Sequence, residues 1–173
     1  MAYQFNLSYY YITPENSLKL DAFSEASGDS RQILIMQYVR GWLGRNRLYY
    51  AGLARLDLRK REINIDEWVE VVINQGFESL PDYKSSLVDS DVPPNPLGHI
   101  VLPGGMDRQV INYIYLTKQN YILLRTAIYF DGSRIAQYLS KIIHEHLQRN
   151  WEPLYAPQMD AETSNDWLKG KQR

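Results

Sequence analysis

The chain has 173 residues, a formal net charge of −1 and no cysteine. That length suffices for one domain with a real hydrophobic core, and 45% hydrophobic with 23% charged residues is an ordinary globular balance. The composition excludes disulfides, thiolate metal sites, iron–sulfur clusters and cysteine nucleophiles, and the near-zero charge excludes a uniformly basic nucleic-acid coat or an acidic mimic.

Tyrosine is the outlier, with 14 residues against 4 Phe and 4 Trp. Its apolar ring and polar tip suit half-buried surfaces and interfaces, and it is also favoured in strands. Residues 3–12 alternate, with Tyr3, Phe5, Leu7, Tyr9 and Tyr11 on one side, which predicts a strand with one apolar face. Tyr9, Tyr10 and Tyr11 are candidate interface residues. Thr13 followed by Pro14 predicts a helix start, with the helix running to about Phe23 and a loop over 24–30.

Residues 31–44 read best as a helix capped by Ser30, with Ile35, Met36, Val39, Trp42 and Leu43 on one face and Gly44 at its end. A buried strand through the same run is the alternative. Leu48 to Leu58 is expected to be extended, because Ala54, Leu56 and Leu58 alternate with charged residues, and a turn at Lys60-Arg61 would return the chain along 62–65. Asp66 is expected to cap a short helix that ends at Gly76, with a strand through WVEVVI as its rival. Residues 78–99 form a Pro-rich arm containing Pro93 and Pro94, too long to lack a role such as reaching a neighbour. A short strand is expected at 100–102.

From 108 to 150 the expected unit is strand, turn, strand, helix. The strands are 110–117 and 121–130, joined by Lys118-Gln119-Asn120 and broken by Asp131-Gly132. Ser133 is expected to cap an amphipathic helix with Ile135, Tyr138, Leu139, Ile142, Ile143 and His146 on one face. Asn150 ends it and Pro153 bars continuation. Residues 151–173 are expected to be an extended tail, with Trp151, Trp167 and Leu168 as docking anchors. No internal repeat stands out. The pattern predicts an α+β fold, a mainly antiparallel sheet with hairpins packed by an amphipathic C-terminal helix. The expected organisation is a single domain over 1–150, the arm at 78–99 and the tail.

Catalytic motifs are missing. No Gly-rich phosphate loop has the right spacing. His144 and His146 are two apart, so on a helix they face different ways and cannot share a metal. Asp89-Ser90-Asp91 opens like a calcium loop, but Val92-Pro93-Pro94 follows where Asp, Asn and Gly are needed. A Ser133–His99–Asp131 triad can be drawn without a nucleophile elbow to support it. No cofactor, metal or catalytic residue is assigned.

Charge order is the strongest functional signal. Arg40, Arg45, Arg47, Arg55, Arg59, Lys60 and Arg61 stand together against one acid, Asp57, and an acidic block follows. The expected function is a non-enzymatic structural subunit of a larger assembly, by analogy with virion or phage-tail-like particles, with other protein subunits as partners in a homo-oligomer or hetero-assembly. The alternative is a nucleic-acid-binding subunit of a nucleoprotein complex using Arg45, Arg47, Arg55, Arg59, Lys60 and Arg61. A third reading is a small hydrolase or metal enzyme around His99, Asp131 and His144. The N-terminus lacks the features of a secretory signal and no apolar run is long enough to span a bilayer, so a cytoplasmic or particle-associated protein without membrane contact is expected.

Overall fold

The computed structural model describes residues 1–80 and 94–160. Pro93, the Asp89-Ser90-Asp91 loop, most of the expected arm, and Trp167 and Leu168 lie outside the described residues.

The alternation over 3–12 becomes two short strands, β1 (Tyr3–Asn6) and β2 (Tyr9–Ile12). Thr13 then caps α1 (Pro14–Ser27), its hydroxyl accepting from the Asn16 N–H at 3.1 Å. Gly28, at φ 79°, ends the helix in the left-handed conformation that glycine adopts without steric cost. The helix reading of 31–44 holds. Ser30 caps α2 (Arg31–Arg45), and Leu34, Ile35, Tyr38, Val39, Trp42 and Leu43 are buried at helical spacing. Gly44 lies inside α2 rather than ending it.

The segment expected to be extended over 48–58, with its return at 60–65, is instead α3 (Arg47–Arg61). The alternation of Ala54, Leu56 and Leu58 misled. The residues that α3 buries are Tyr50, Leu53, Asp57 and Arg61, whose intervals of three and four are helical. Asn64, not Asp66, caps α4 (Ile65–Asn74), its side chain accepting from the Glu67 N–H at 2.8 Å. A 3-10 turn follows at Phe77–Ser79. Residues 100–102 form no strand, although Ile100 is buried in the main core.

Two more strands follow, β3 (Asp107–Val110) and β4 (Tyr113–Leu116). The expected second strand at 121–130 is α5 (Lys118–Asp131), capped by Thr117 and ended by Gly132 at φ 58°. α6 (Ile135–Asn150) is the expected amphipathic helix. Ser133 does not cap it: its hydroxyl donates to the Asp131 carbonyl at 3.4 Å. Pro153 does not stop the chain either. A wide π turn, Trp151–Tyr155, tolerates the missing N–H, and α7 (Ala156–Asp160) follows.

The strands pair antiparallel, β1 with β4 and β2 with β3, so the fold is α+β. Among the described residues neither strand pair is a hairpin. Between the two pairs, the Leu7 N–H donates to the Asn112 carbonyl at 2.8 Å and the Ile111 N–H to the Ser8 carbonyl at 3.2 Å. The four short strands therefore make one continuous two-stranded ribbon.

That ribbon exposes an internal repeat that the letters conceal. From Thr13 to Thr117 is 104 positions, and the same offset carries β1 onto β3, β2 onto β4, α1 onto α5, Gly28 onto Gly132 and the start of α2 onto that of α6. Each unit is strand, strand, helix, helix. The first strand of each pairs with the second strand of the other, so the ribbon has a pseudo-twofold axis at its centre. The expectation of no repeat fails because the units share caps and apolar positions more than side chains: Leu20 matches Leu124, but Pro14 matches Lys118 and Trp42 matches His146.

Phe5, Leu7, Tyr10, Ile12, Ile114 and Leu116 turn inward from the ribbon onto α2 and α6, forming the main core. The ribbon edges are closed by helix side chains. Ser140 Oγ accepts from the Tyr11 N–H at 2.7 Å, while Gln32 and Arg40 donate to the carbonyls of Tyr113 and Tyr115. Capping in this way blunts the tendency of bare edges to recruit another strand. α3 and α4, inserted between the units, pack on α5 over a second cluster of Trp68, Val72, Phe77 and Leu80. Buried Asp57 ties the insertion together, accepting from Arg61 Nε at 2.8 Å and Trp68 Nε1 at 2.9 Å, while Arg61 reaches the Tyr129 hydroxyl of α5 at 3.1 Å.

Candidate nucleic-acid interface

With one face of the ribbon committed to the core, the strand alternation sends the other face to solvent. Gln4 and Asn6 stand on β1 opposite Tyr115 and Tyr113. Tyr9 and Tyr11 stand on β2 opposite Val110 and Arg108. Gln4, Asn6, Arg108, Val110, Tyr11 and Tyr115 are exposed, and Tyr9 and Tyr113 are half-buried. The repeat operation maps this face onto itself: Tyr9 onto Tyr113, Tyr11 onto Tyr115, Gln4 onto Arg108 and Asn6 onto Val110. Tyr9 packs edge-on against Tyr11 at 5.5 Å between ring centroids, and Tyr113 against Tyr115 at 5.2 Å. The Arg108 guanidinium lies 4.2 Å from the Tyr9 ring centroid, a cation–π contact that orients it. Gln4 Nε2 donates to Asn6 Oδ1 at 2.8 Å. Arg40 borders the Tyr115 end through its bond to the strand carbonyl.

The residues expected to form sites are scattered by the fold. Of the three tyrosines, Tyr9 and Tyr11 are on the outward face, whereas Tyr10 is buried in the core at 2% exposure and offers no interface. Pro94 is exposed. Trp151 is half-buried, with Lys19 Nζ 5.5 Å from its ring. The basic block is not a strand pair. Arg47, Arg55, Arg59 and Lys60 are exposed on α3, Arg45 lies 3.9 Å from Glu145, and Arg61 is withdrawn into the interior beside Asp57, out of reach of any phosphate. Sequence reading missed Gln4, Asn6, Arg108, Tyr113 and Tyr115. The signal that could have found them is the recurrence of Tyr-x-Tyr-(Ile/Leu)-Thr at 9–13 and 113–117.

The histidines behave as the helical spacing predicts. His144 Nδ1 meets the Asn16 amide at 3.3 Å, while His146 stacks on Tyr38 at 3.8 Å and bonds Tyr155. Burial, with the positive charges of Arg45 and Arg149 nearby, lowers the His146 imidazole to about 4. No hydrogen bond joins His99 to Ser133 or Asp131, so the paper triad is not assembled. Among the described residues no group of three His, Asp or Glu side chains is placed to hold a metal ion. Asp131 borders a cavity of about 180 Å³ with Ser133, Tyr138 and Lys141; it accepts from the Asn95 amide, and burial raises its carboxyl to about 6. Among the described residues no helix is long and apolar enough to cross a membrane.

Compared with known proteins, the chain matches no family model, no curated protein and no solved structure.

Proposed function

We propose that this protein binds duplex DNA non-enzymatically by laying its two-stranded ribbon in the major groove. The observation that carries the reading is the pseudo-twofold outward face, with Gln4, Asn6 and Arg108 exposed among four tyrosines. A major groove about 12 Å wide admits a two-stranded ribbon. The side-chain types suit the base edges found there: an amide pairs with adenine, a guanidinium with the two acceptors of guanine, and Val110 offers a surface to a thymine methyl. Tyrosine hydroxyls and Arg40 are suited to phosphates and sugars, which set the register of the protein on the duplex. A twofold ribbon also matches the twofold symmetry of the duplex, the reason dimeric DNA readers favour palindromes. Here both halves belong to one chain, so they are free to differ.

This surface is distinct from the Arg-rich segment 45–61, which lies mostly on α3. With a net charge of −1, non-specific attraction to the polyanion is weak, and base contacts have to carry more of the affinity. Selection of bound duplexes from a random pool, followed by anisotropy titration, tests it. The expected result is an enriched, imperfect inverted repeat whose binding is lost in Gln4→Ala/Arg108→Ala. No enrichment, equal binding by that double variant, or tighter binding to single strands would overturn it.

A further inference from the structure

The insertion packs against α5, whereas among the described residues the matching helix α1 is covered only in part, Tyr155 packing on Phe23 and Trp151 lying under Lys19. On α5, Ile122 is packed against the α3–α4 cluster. The same position on α1 is Leu18, and it stands 71% exposed in the middle of a helix. Around it, Glu15, Ala22 and Glu25 share its face at helical spacing, with Asp21 beside them. Lys19 and Arg31 hold Glu15 and Asp21 in place without hiding them: the two carboxylate side chains remain 75% and 62% exposed. α1 therefore presents an apolar centre with an acidic border.

A complementary surface lies on the insertion. α3, α4 and the start of α5 enclose an open groove of about 500 Å³. Ala51, Ala54, Leu58, Val69 and Ile122 line it, small residues on α3 making room for an incoming element. Ile65 at its border is 59% exposed. Arg55 and Lys118, both exposed, stand on the rim, with Asp66 as the acid at the α4 end. The groove is apolar within and mainly basic at its margin.

We infer that copies of this chain associate head to tail, α1 of one copy seating Leu18 in the α3–α4–α5 groove of the next. Leu18 would complete the apolar lining, and Glu15 and Glu25 would meet Arg55 and Lys118. Apolar burial at the centre with opposite charges at the rim is the arrangement that stabilises and orients protein contacts. The two patches are different surfaces of one molecule, so the contact is heterologous and leaves a free patch at each end of any pair. Ribbon residues take no part, so the association is independent of DNA binding and would allow copies to follow one another along a duplex. It also gives the sequence-based expectation of a homo-oligomeric assembly a concrete form.

Light scattering of the whole chain over a range of concentrations tests this, using Leu18→Asp, Ala54→Arg and Arg55→Glu. The wild type is expected to grow in mass with concentration, and each of the first two variants to stay monomeric. Mixed in equal amounts, those two should form a discrete dimer and nothing larger, because one retains a good groove and the other a good α1. Arg55→Glu, an exposed substitution that does not strain the core, should weaken association about tenfold or more. A wild type that stays monomeric throughout, a Leu18→Asp or Ala54→Arg chain that still assembles as the wild type does, an Arg55→Glu chain that assembles undiminished, or a folded pair of variants that do not combine on mixing would overturn the inference. Circular dichroism melts establish that the variants are folded. If Ala54→Arg is not, Arg55→Glu takes its place in the mixing experiment.

Discussion

Gln4 and Arg108 occupy the same position in the two halves of the ribbon, yet one carries an amide and the other a guanidinium. Each is exposed, and Arg108 is braced by the Tyr9 ring. On the DNA-binding reading, the two half-sites should therefore differ at equivalent base pairs. Arg108→Ala should cost about 1–3 kcal/mol and relax preference at one position only. Gln4→Arg should make the selected site more symmetric, adding a guanine in the other half. Repeating the selection with each variant reads both effects; an unchanged consensus would remove these two residues from base recognition.

The ion pair of Asp57 and Arg61 is almost completely enclosed, with side-chain exposures of 0% and 2%. Such a pair adds little net stability over an apolar replacement, but breaking it strands a buried charge. Asp57→Ala leaves Arg61 without its carboxylate and Trp68 Nε1 without its acceptor. We expect a loss of about 3–5 kcal/mol in urea unfolding. Because Trp68 is in the network, its fluorescence should report the loosening of the insertion. A loss below about 1 kcal/mol would mean that water or another side chain replaces Asp57 at little cost.

Two half-buried groups give opposing pH dependence. His146 is held neutral down to about 4, below its ordinary 6.5, by burial and by the nearby arginines. The unfolded chain takes up that proton first, so stability is full above pH 6.5 and falls as pH drops toward 4, by no more than about 3 kcal/mol. Asp131 is raised from 3.8 to about 6 by burial. Here the folded chain takes up the proton first, so stability rises as pH falls from 6 toward 3.8, and near neutrality the ionised carboxylate is a cost. Asp131→Asn should thus be more stable than wild type at pH 7 and lose more stability between pH 7 and 5. Denaturant melts at the two pH values check this; identical pH profiles would show that Asp131 does not titrate in that range.

Gly28 and Gly132 end the first helix of each unit with φ values of 79° and 58°. A Cβ at either would meet nothing within 4 Å, so any penalty is one of backbone conformation alone. Gly28→Ala and Gly132→Ala should each cost about 1–2 kcal/mol. Gly52, inside α3 and equally open around its Cβ, should behave oppositely, Gly52→Ala gaining about 1 kcal/mol from helix propensity. Thermal unfolding of the three variants separates the two cases by sign.

Local chemistry made several features readable from the letters. Thr13, Pro14 and Ser30 announce helix starts because their caps satisfy backbone groups within one turn, and the apolar stripe of α6 is wide enough to fix its period. The α+β class follows from the same signals. The letters pointed to strands at 48–58 and 121–130, where the chain is helical. Aromatic and branched residues satisfy either period, and the choice fell to partners far along the chain: Arg61 with Tyr129, and Tyr121 with Phe5. The repeat and the outward face were hidden for the same reason. Both exist because β1 pairs with β4 and β2 with β3 across about a hundred residues, a long-range pairing that no local pattern encodes. Burial likewise separated Arg61 from its basic neighbours: α3 sets Asp57 one turn away, but only the packing of Trp68 and Tyr129 around the pair takes it out of water.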